Sequence, residues 1–292
     1  MTEANSIPPS PNKPTLLAVL AHPDDETFGM GGTLALYAHH GVDVHLVCAT
    51  RGEVGEVDER YLRGFNSIAE RRVHELRCAA ELLGLTEVHF LDYRDSGMAG
   101  SPENQNPRAL AATPLDKVAA EVTHQTRKIR PQVVITFDPI GGYRHPDHIA
   151  IHNATVKAFY AAAYPDPEGL PPYAPQRLYF HVMPMGFLRL AVRLMPLFGR
   201  DPRRFGQNKD IDLVSITEVS FPTHAVIDYR PVAALRDEAS ACHASQGGGE
   251  MSSGLMGVLR RWFASREAFM QAYPQPADHR VIRDLFSGVK VE

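Results

Sequence analysis

Thr15–Ala21 (TLLAVLA) is a nearly continuous apolar run. Its length and flanks predict a strand buried on both faces of a parallel sheet. Phe28–His40 reads as a helix that stops at Gly41, a residue suited to a left-handed helix end. Val42–Ala49 (VDVHLVCA) predicts a second strand. Ile68–Leu83 carries apolar residues at helical spacing and stops at Gly84, and Glu87–Leu91 predicts a third strand. Leu115–Ile129 predicts a helix ended by Pro131. Val133–Phe137 predicts a fourth strand, and Asp147–Ala163 a helix whose start carries Pro146 and Asp147, both favoured there. This alternation of strand and helix predicts an α/β fold: a mostly parallel sheet with helices on both faces. The second half is less regular. Arg177–Val182 and Leu213–Val219 read as strands and Pro231–His243 as a helix, which together predict a smaller C-terminal cap region.

With 292 residues, no internal repeat and no separating linker, the chain reads as one domain over 15–292. Residues 15–165 form its regular core, and 166–292 the cap and substrate-shaping region. Residues 1–14, polar and proline-rich, read as a disordered leader without the apolar stretch of a signal peptide. No apolar run is long enough to span a bilayer, so the expectation is a cytoplasmic protein without stable membrane insertion. Net charge is −4, with 30 basic and 34 acidic residues, which argues against a nucleic-acid partner. The three cysteines, Cys48, Cys78 and Cys242, are odd in number, widely spaced and partly set among apolar residues. They read as reduced, buried thiols, and no CxxC pair suggests a cysteine-held metal. Pro184–Asp212 is apolar with interleaved arginines and reads as a lid, a contact in a homo-oligomer or a surface amphipathic helix, with core packing or a subunit contact favoured over membrane binding. Gln246–Gly257 is glycine-rich and reads as mobile.

Ligands of open α/β sheets bind beyond the carboxyl ends of the strands. Polar clusters follow all four predicted core strands: His22–Glu26, Thr50–Glu56, Asp92–Gly97 and Asp138–His148. Loops are polar anyway, but shared placement at one rim predicts one site. Two of the clusters, AHPDDE (Ala21–Glu26) and GGYRHPDH (Gly141–His148), concentrate histidines and carboxylates. A hydrolytic zinc site needs three nitrogen or oxygen ligands and an open position for water. His22, Asp25 and His148 supply such a set, since a tight turn aims residues three apart at one point. Asp24 is then placed to take a proton from the attacking water. His145 is placed to polarise a carbonyl as imidazolium or to protonate a leaving amine, with Asp147 holding its ring. Tyr143, after two glycines, can donate its hydroxyl to an oxyanion. The bland alternative is that HPDD and HPDH are helix-capping turns.

AHPDDE after the first strand, with GGYRHPDH after the fourth, resembles the PIG-L/LmbE-like zinc-dependent deacetylases, over roughly residues 15–165. The resemblance implies a Rossmann-like fold and removal of an N-acyl group, usually from an N-acetylglucosaminyl unit. It implies metal ligation by His22, Asp25 and His148, with zinc as the ion and ferrous iron as the alternative. It also implies Asp24 as general base, with His145 as acid or carbonyl-polarising group and Asp147 as its partner. YRDSGMAG (Tyr93–Gly100) is similar to the branch acting on the N-acetylglucosaminyl-inositol precursor of mycothiol and on mycothiol conjugates. From that branch come Arg72, in an R-x-x-E-L helix with Glu75 and Leu76, and Asp95 as substrate contacts, and Tyr143 as oxyanion donor. The partner implied is thus a small amino-sugar substrate, or a thiol conjugate for an amidase. CHASQ (Cys242–Gln246) resembles a C-terminal stretch of the branch, which leaves open whether His243 reaches the site. Pro184–Asp212 and Gln246–Gly257 have no counterpart. A nucleotide-binding module is disfavoured because Gly29, Gly31 and Gly32 do not complete G-x-G-x-x-G: Leu34 stands last. A non-catalytic sugar binder is disfavoured by the presence of Asp24.

Overall fold

The computed structural model of the chain describes residues 13–166, 169–183, 185–204, 212–249, 265–278 and 280–291. Most of the leader, Gln246–Gly257 from 250 onward, and 205–211 within Pro184–Asp212 lie outside the described residues. In chain order the elements are β1 (Thr15–Leu20), α1 (Asp25–His39), β2 (Asp43–Thr50), α2 (Glu59–Leu62), α3 (Ile68–Leu83) and β3 (Glu87–Tyr93). Then come α4 (Leu115–Ile129), β4 (Val133–Thr136), α5 (Gly141–Arg144), α6 (Pro146–Ala161), β5 (Arg177–Val182) and α7 (Met185–Leu194). The last are α8 (Leu213–Thr217), β6 (Ala225–Asp228), α9 (Ala233–Cys242) and β7 (Arg266–Tyr273).

The strands form one seven-stranded sheet in the order β3-β2-β1-β4-β5-β7-β6. The first five strands of the chain run parallel, and β7 pairs antiparallel with both β5 and β6. β1 is buried along its whole length between β2 and β4, which is why its sequence shows no polar alternation. α4 packs on α6, while α1, α3 and α9 pack together as a second group. Leu16, Leu17, Leu46, Ile135, Tyr179 and Phe269 lie in the core between these layers. α1 is kinked at Met30 (φ −139°), and buried Glu267 of β7 accepts from the amides of Gly32 and Thr33 at 2.9 and 2.7 Å. A carboxylate there caps the second half of the helix and ties the last strand to the first helix.

The core elements lie within a few residues of their expected bounds, but the C-terminal half differs. Leu213–Thr217 is a helix, not a strand. Its β-branched residues suggest extension, but the Asp212 carboxylate accepts from the amides of Val214 and Ser215 and nucleates a turn. β6 has only four residues, and β7 (REAFMQAY) is written largely in helix formers. Both are strands because pairing with β5 and with each other outweighs weak local preference.

The cysteines also differ from expectation. Cys78 and Cys242 form a disulfide, and only Cys48 is a free, buried thiol. α3 and α9 pack side by side and bring residues 164 apart in sequence to a Cα separation of 5.9 Å, while Cys78 is exposed rather than buried. The bond closes a very long loop, so Cys78→Ser should lower stability by about 2–4 kcal/mol. The check is the denaturation midpoint in urea without reductant; equal midpoints for the variant and the unaltered chain would sink the pairing.

Candidate active site

β1 ends at the turn His22-Pro23-Asp24-Asp25 that opens α1. Asp24 stands at the helix start with φ 116°, and its side chain makes no capping bond. Positive φ at a non-glycine residue is strained and needs surrounding bonds to hold it. Here the Asp24 amide donates to Glu26 Oε2 at 2.9 Å, and the side chain turns to Arg72, whose Nη2 donates to Oδ2 at 3.0 Å. The capping-turn reading therefore fails for Asp24: its carboxylate is turned away from the helix amides. Burial raises its pKa to about 6 against the opposing pull of Arg72.

Arg72 lies on α3 and is buried. Its Nη1 donates to Gly52 O at 2.9 Å, and Nη2 donates to Pro23 O at 2.6 Å as well as to Asp24. Gly52 has φ +66°, and a Cβ there would lie 2.2 Å from the guanidinium, so the loop after β2 must be glycine to admit the arginine. This placement makes Arg72 a clamp on the Pro23–Asp24 turn.

Three donor atoms converge beside Asp24. His22 Nδ1 lies 3.5 Å from Asp25 Oδ2 and 3.3 Å from His148 Nε2, which in turn lies 3.2 Å from Asp25 Oδ1. Each donor is oriented from behind. The His22 amide donates to Asp25 Oδ2 at 2.7 Å. His22 Nε2 faces Asp147 Oδ2 at 3.1 Å, and His148 Nδ1 faces Gly141 O at 3.2 Å. These bonds fix both tautomers so that the lone pairs of His22 Nδ1 and His148 Nε2 point into the same space. Gly141 allows this: at φ +66°, a Cβ would fall 2.8 Å from His148 Cβ. Burial lowers the pKa of His22, but Asp95, Asp147 and Asp25 outweigh it and hold it well above its ordinary value. The same field favours a cation among these atoms. Two imidazole nitrogens and a carboxylate, backed by a carboxylate and a carbonyl, fit a zinc or ferrous ion.

The expected role of Asp147 at His145 is not what the structure shows. The Asp147 carboxylate bonds His22 Nε2 and accepts from the amide of Ser96 at 2.9 Å and from the Ser96 hydroxyl. Only its backbone serves His145, its amide donating to His145 Nδ1 at 3.1 Å. The reason is the helix start: His145 caps α6 with its own ring, and the side chain two residues on projects toward β1 and β3. His145 thus carries its proton on Nε2. Burial, with His22 and His148 nearby, pushes its pKa down to about 2, so the ring is a neutral donor rather than an imidazolium. Tyr143 stands edge-on to His145 and His148, with ring centroids 5.9 and 5.0 Å away. Burial raises its phenol well above the usual range, which keeps the proton on the hydroxyl. Asp95 lies 3.5 Å from His22 Nε2 and accepts from the Gly97 amide at 2.8 Å. Burial raises its pKa, but His22 and that amide outweigh it and leave the group ionised well below the usual range.

All nine candidate residues thus meet at the expected rim, Arg72 and Asp147 in changed company. Sequence reasoning missed two supports. Glu26 is fully buried and joins the Asp24 amide to His243, whose Nε2 lies 2.6 Å from Glu26 Oε1. His243 therefore reaches the back of the site through Glu26 and not the donor triangle. Ser96, hidden in an ordinary-looking DSG turn, fixes Asp147. The signal for Glu26 was present as a third consecutive acid, but no spacing rule distinguishes it from a helix-start charge.

The PIG-L family model, described as GlcNAc-PI de-N-acetylase, matches residues 17–159, which include both motif loops. A 1D-myo-inositol 2-acetamido-2-deoxy-alpha-D-glucopyranoside deacetylase of Geodermatophilus obscurus is 37% identical over 242 residues, covering 79% of this chain and 82% of that protein. The enzyme of the same name from Streptomyces avermitilis is 35% identical over 300 residues, covering 94% and 97%. Among solved structures, N,N'-diacetylchitobiose deacetylase from Pyrococcus horikoshii is similar with a TM-score of 0.60 and 20% identity, over 90% of this chain and 87% of that one. At that identity the likeness is one of fold.

Proposed function

The chain belongs to the PIG-L family, and from that premise we propose that it is a metal-dependent hydrolase that removes the N-acetyl group of an N-acetylglucosaminyl substrate, a GlcNAc-inositol glycoside first of all. The observation that carries this reading is Asp24: a buried carboxylate outside the donor triangle, clamped beside it at positive φ. His22, Asp25 and His148 would hold the ion, zinc or ferrous iron. When bound, such an ion supplies Lewis acidity and brings the pKa of a water from ~15.7 to roughly 7.

The protein's groups then divide the remaining work. Asp24 accepts the proton of the attacking water and returns it to the departing amine, so one carboxylate serves as base and then as acid. His145 Nε2–H and the Tyr143 hydroxyl donate to the carbonyl oxygen as it gains charge. Asp147 holds His22, and Arg72 holds Asp24. Asp95 receives hydroxyls of the sugar. No helix among the described residues is long and apolar enough to cross a membrane. A small, water-soluble sugar glycoside suits an enzyme working in the cytoplasm.

The test is amine release from zinc- or iron-loaded protein given N-acetylglucosamine, N-acetylglucosaminyl-inositol, N,N′-diacetylchitobiose and a bulky N-acyl thiol conjugate. Fastest release from the inositol glycoside is expected. Fastest release from the conjugate would make the protein an amidase instead, and no release from any would overturn the amino-sugar reading. Arg72→Lys separates two roles. As a clamp on Asp24 its loss should lower kcat about 10²-fold with KM little changed, since small misplacement of a reacting group is that costly. A rise in KM alone would return Arg72 to the substrate contact that the sequence resemblance implies.

A further inference from the structure

We propose that the protein binds a second divalent transition-metal ion, between His45, Glu87 and His89, which staples edge strand β3 to β2. The site follows from the sheet itself. Glu87 and His89 are two apart on β3 and so share a face. In the parallel ladder His45 is the partner of Glu87, and His89 is the partner of Val47, one step further along the same face. All three side chains therefore meet on one side of two neighbouring strands. His45 Nδ1 lies 3.4 Å from His89 Nε2, and that same Nε2 lies 3.5 Å from Glu87 Oε2. One ligand atom from each residue falls within 4.8 Å of the others. An ion held tetrahedrally at ~2.0–2.1 Å from each donor needs donor separations of about 3.4 Å. His89 Nε2 stands at 3.4 and 3.5 Å from the other two donors, and the exposed Glu87 side chain has room to close the remaining separation, which lies within 4.8 Å.

The site is separate from the first. His45 precedes Thr50 by five residues, about 16 Å along β2, toward the opposite end of the strands from His22. Its rings are stacked at 17° between planes, and His89 is buried while the Glu87 side chain is 46% exposed. One side is thus fixed in the protein and the other open to solvent for entry and for a water ligand. Two imidazoles with one carboxylate select zinc, nickel, cobalt or copper over magnesium or calcium. Burial and mutual proximity lower the pKa of His45, and burial with Lys128 of α4 lowers that of His89. Glu87 and Asp43 supply negative charge at His45, and Lys128 opposes it. The rival arrangement is a plain hydrogen bond between two histidines.

The experiment titrates metal-free full-length protein with zinc, and separately with nickel, against a chromophoric chelator. His45→Gln/His89→Gln should bind one equivalent fewer than the unaltered chain. Asp25→Ala/His148→Ala, which removes the first site, should retain one equivalent and still gain thermal stability on adding zinc. Glu87→Gln, an exposed change that leaves the fold alone, should weaken the second equivalent at least about tenfold. Equal stoichiometry for the unaltered chain and His45→Gln/His89→Gln, or equal second-site affinity for Glu87→Gln, would overturn the proposal. These readouts measure binding, so they stand or fall independently of the deacetylase reading.

Discussion

Asp24→Asn should lower kcat about 10²–10⁴-fold while the protein still folds and still holds its ion. Asparagine keeps the size of the side chain and tolerates positive φ better than other residues, so the 116° backbone angle at this position is not lost. Its carbonyl can still accept from Arg72, and Arg72 keeps Gly52 O and Pro23 O as partners, so no buried guanidinium is stranded. What asparagine cannot do is take a proton. Asp24→Ala is the less informative change, because it adds backbone strain and leaves Arg72 short of a partner. The measurement is kcat on the best substrate of the panel, with metal content determined on the same sample. Activity within about threefold of the unaltered enzyme, at equal metal content, would move the base elsewhere and remove the central step of the mechanism.

The parts of this site that were legible in the sequence share one property: they depend on adjacency at strand ends. A buried parallel strand announces itself as an unbroken apolar run, so the end of TLLAVLA predicts where His22 begins. Four such ends in one sheet define a rim, and GGYRHPDH must fall on it beside AHPDDE. What was not legible depends on rotamers instead. Asp147 follows His145 in the chain, yet its carboxylate serves His22, because the helix start sends neighbouring side chains in different directions. Arg72 looks like a surface residue in a helix full of charges, and only the glycine slot at Gly52 shows where its guanidinium goes. Long-range pairing explains the rest. Cys78 and Cys242 meet only because α3 and α9 pack together, and β7 is a strand only because β5 and β6 present edges to it. Nothing local in either segment encodes the partner.

His148→Ala should abolish the reaction more completely than loss of the base, by about 10³-fold or more, and zinc should not restore it. The histidine sits in the first turn of α6, stacked on Phe137 with ring centroids 3.9 Å apart and tilted by only 8°, and held through Nδ1 by Gly141 O. It therefore offers Nε2 in one orientation. His145 has a ligand atom within 4.8 Å of those of His22 and His148, but its Nδ1 is engaged by the Asp147 amide, which leaves the proton on its Nε2, and Asp95 stands on the far side of His22. Removing the ring leaves His22 and Asp25 as a two-donor set, too few for a stable ion. Chelation of the unaltered enzyme should give the same loss, reversed by zinc or ferrous iron, whereas the variant should stay inactive after either. Stability gives a second, independent signal. An ion at 100 times its dissociation constant adds about 2.7 kcal/mol to a protein that binds it only when folded. That increment should be smaller in His148→Ala, by whatever share the first site contributes. If the variant regained activity with added zinc, or if exhaustive chelation left the unaltered enzyme active, the His22–Asp25–His148 triangle would not be the catalytic centre. Asp24 would then need a different electrophile to act beside.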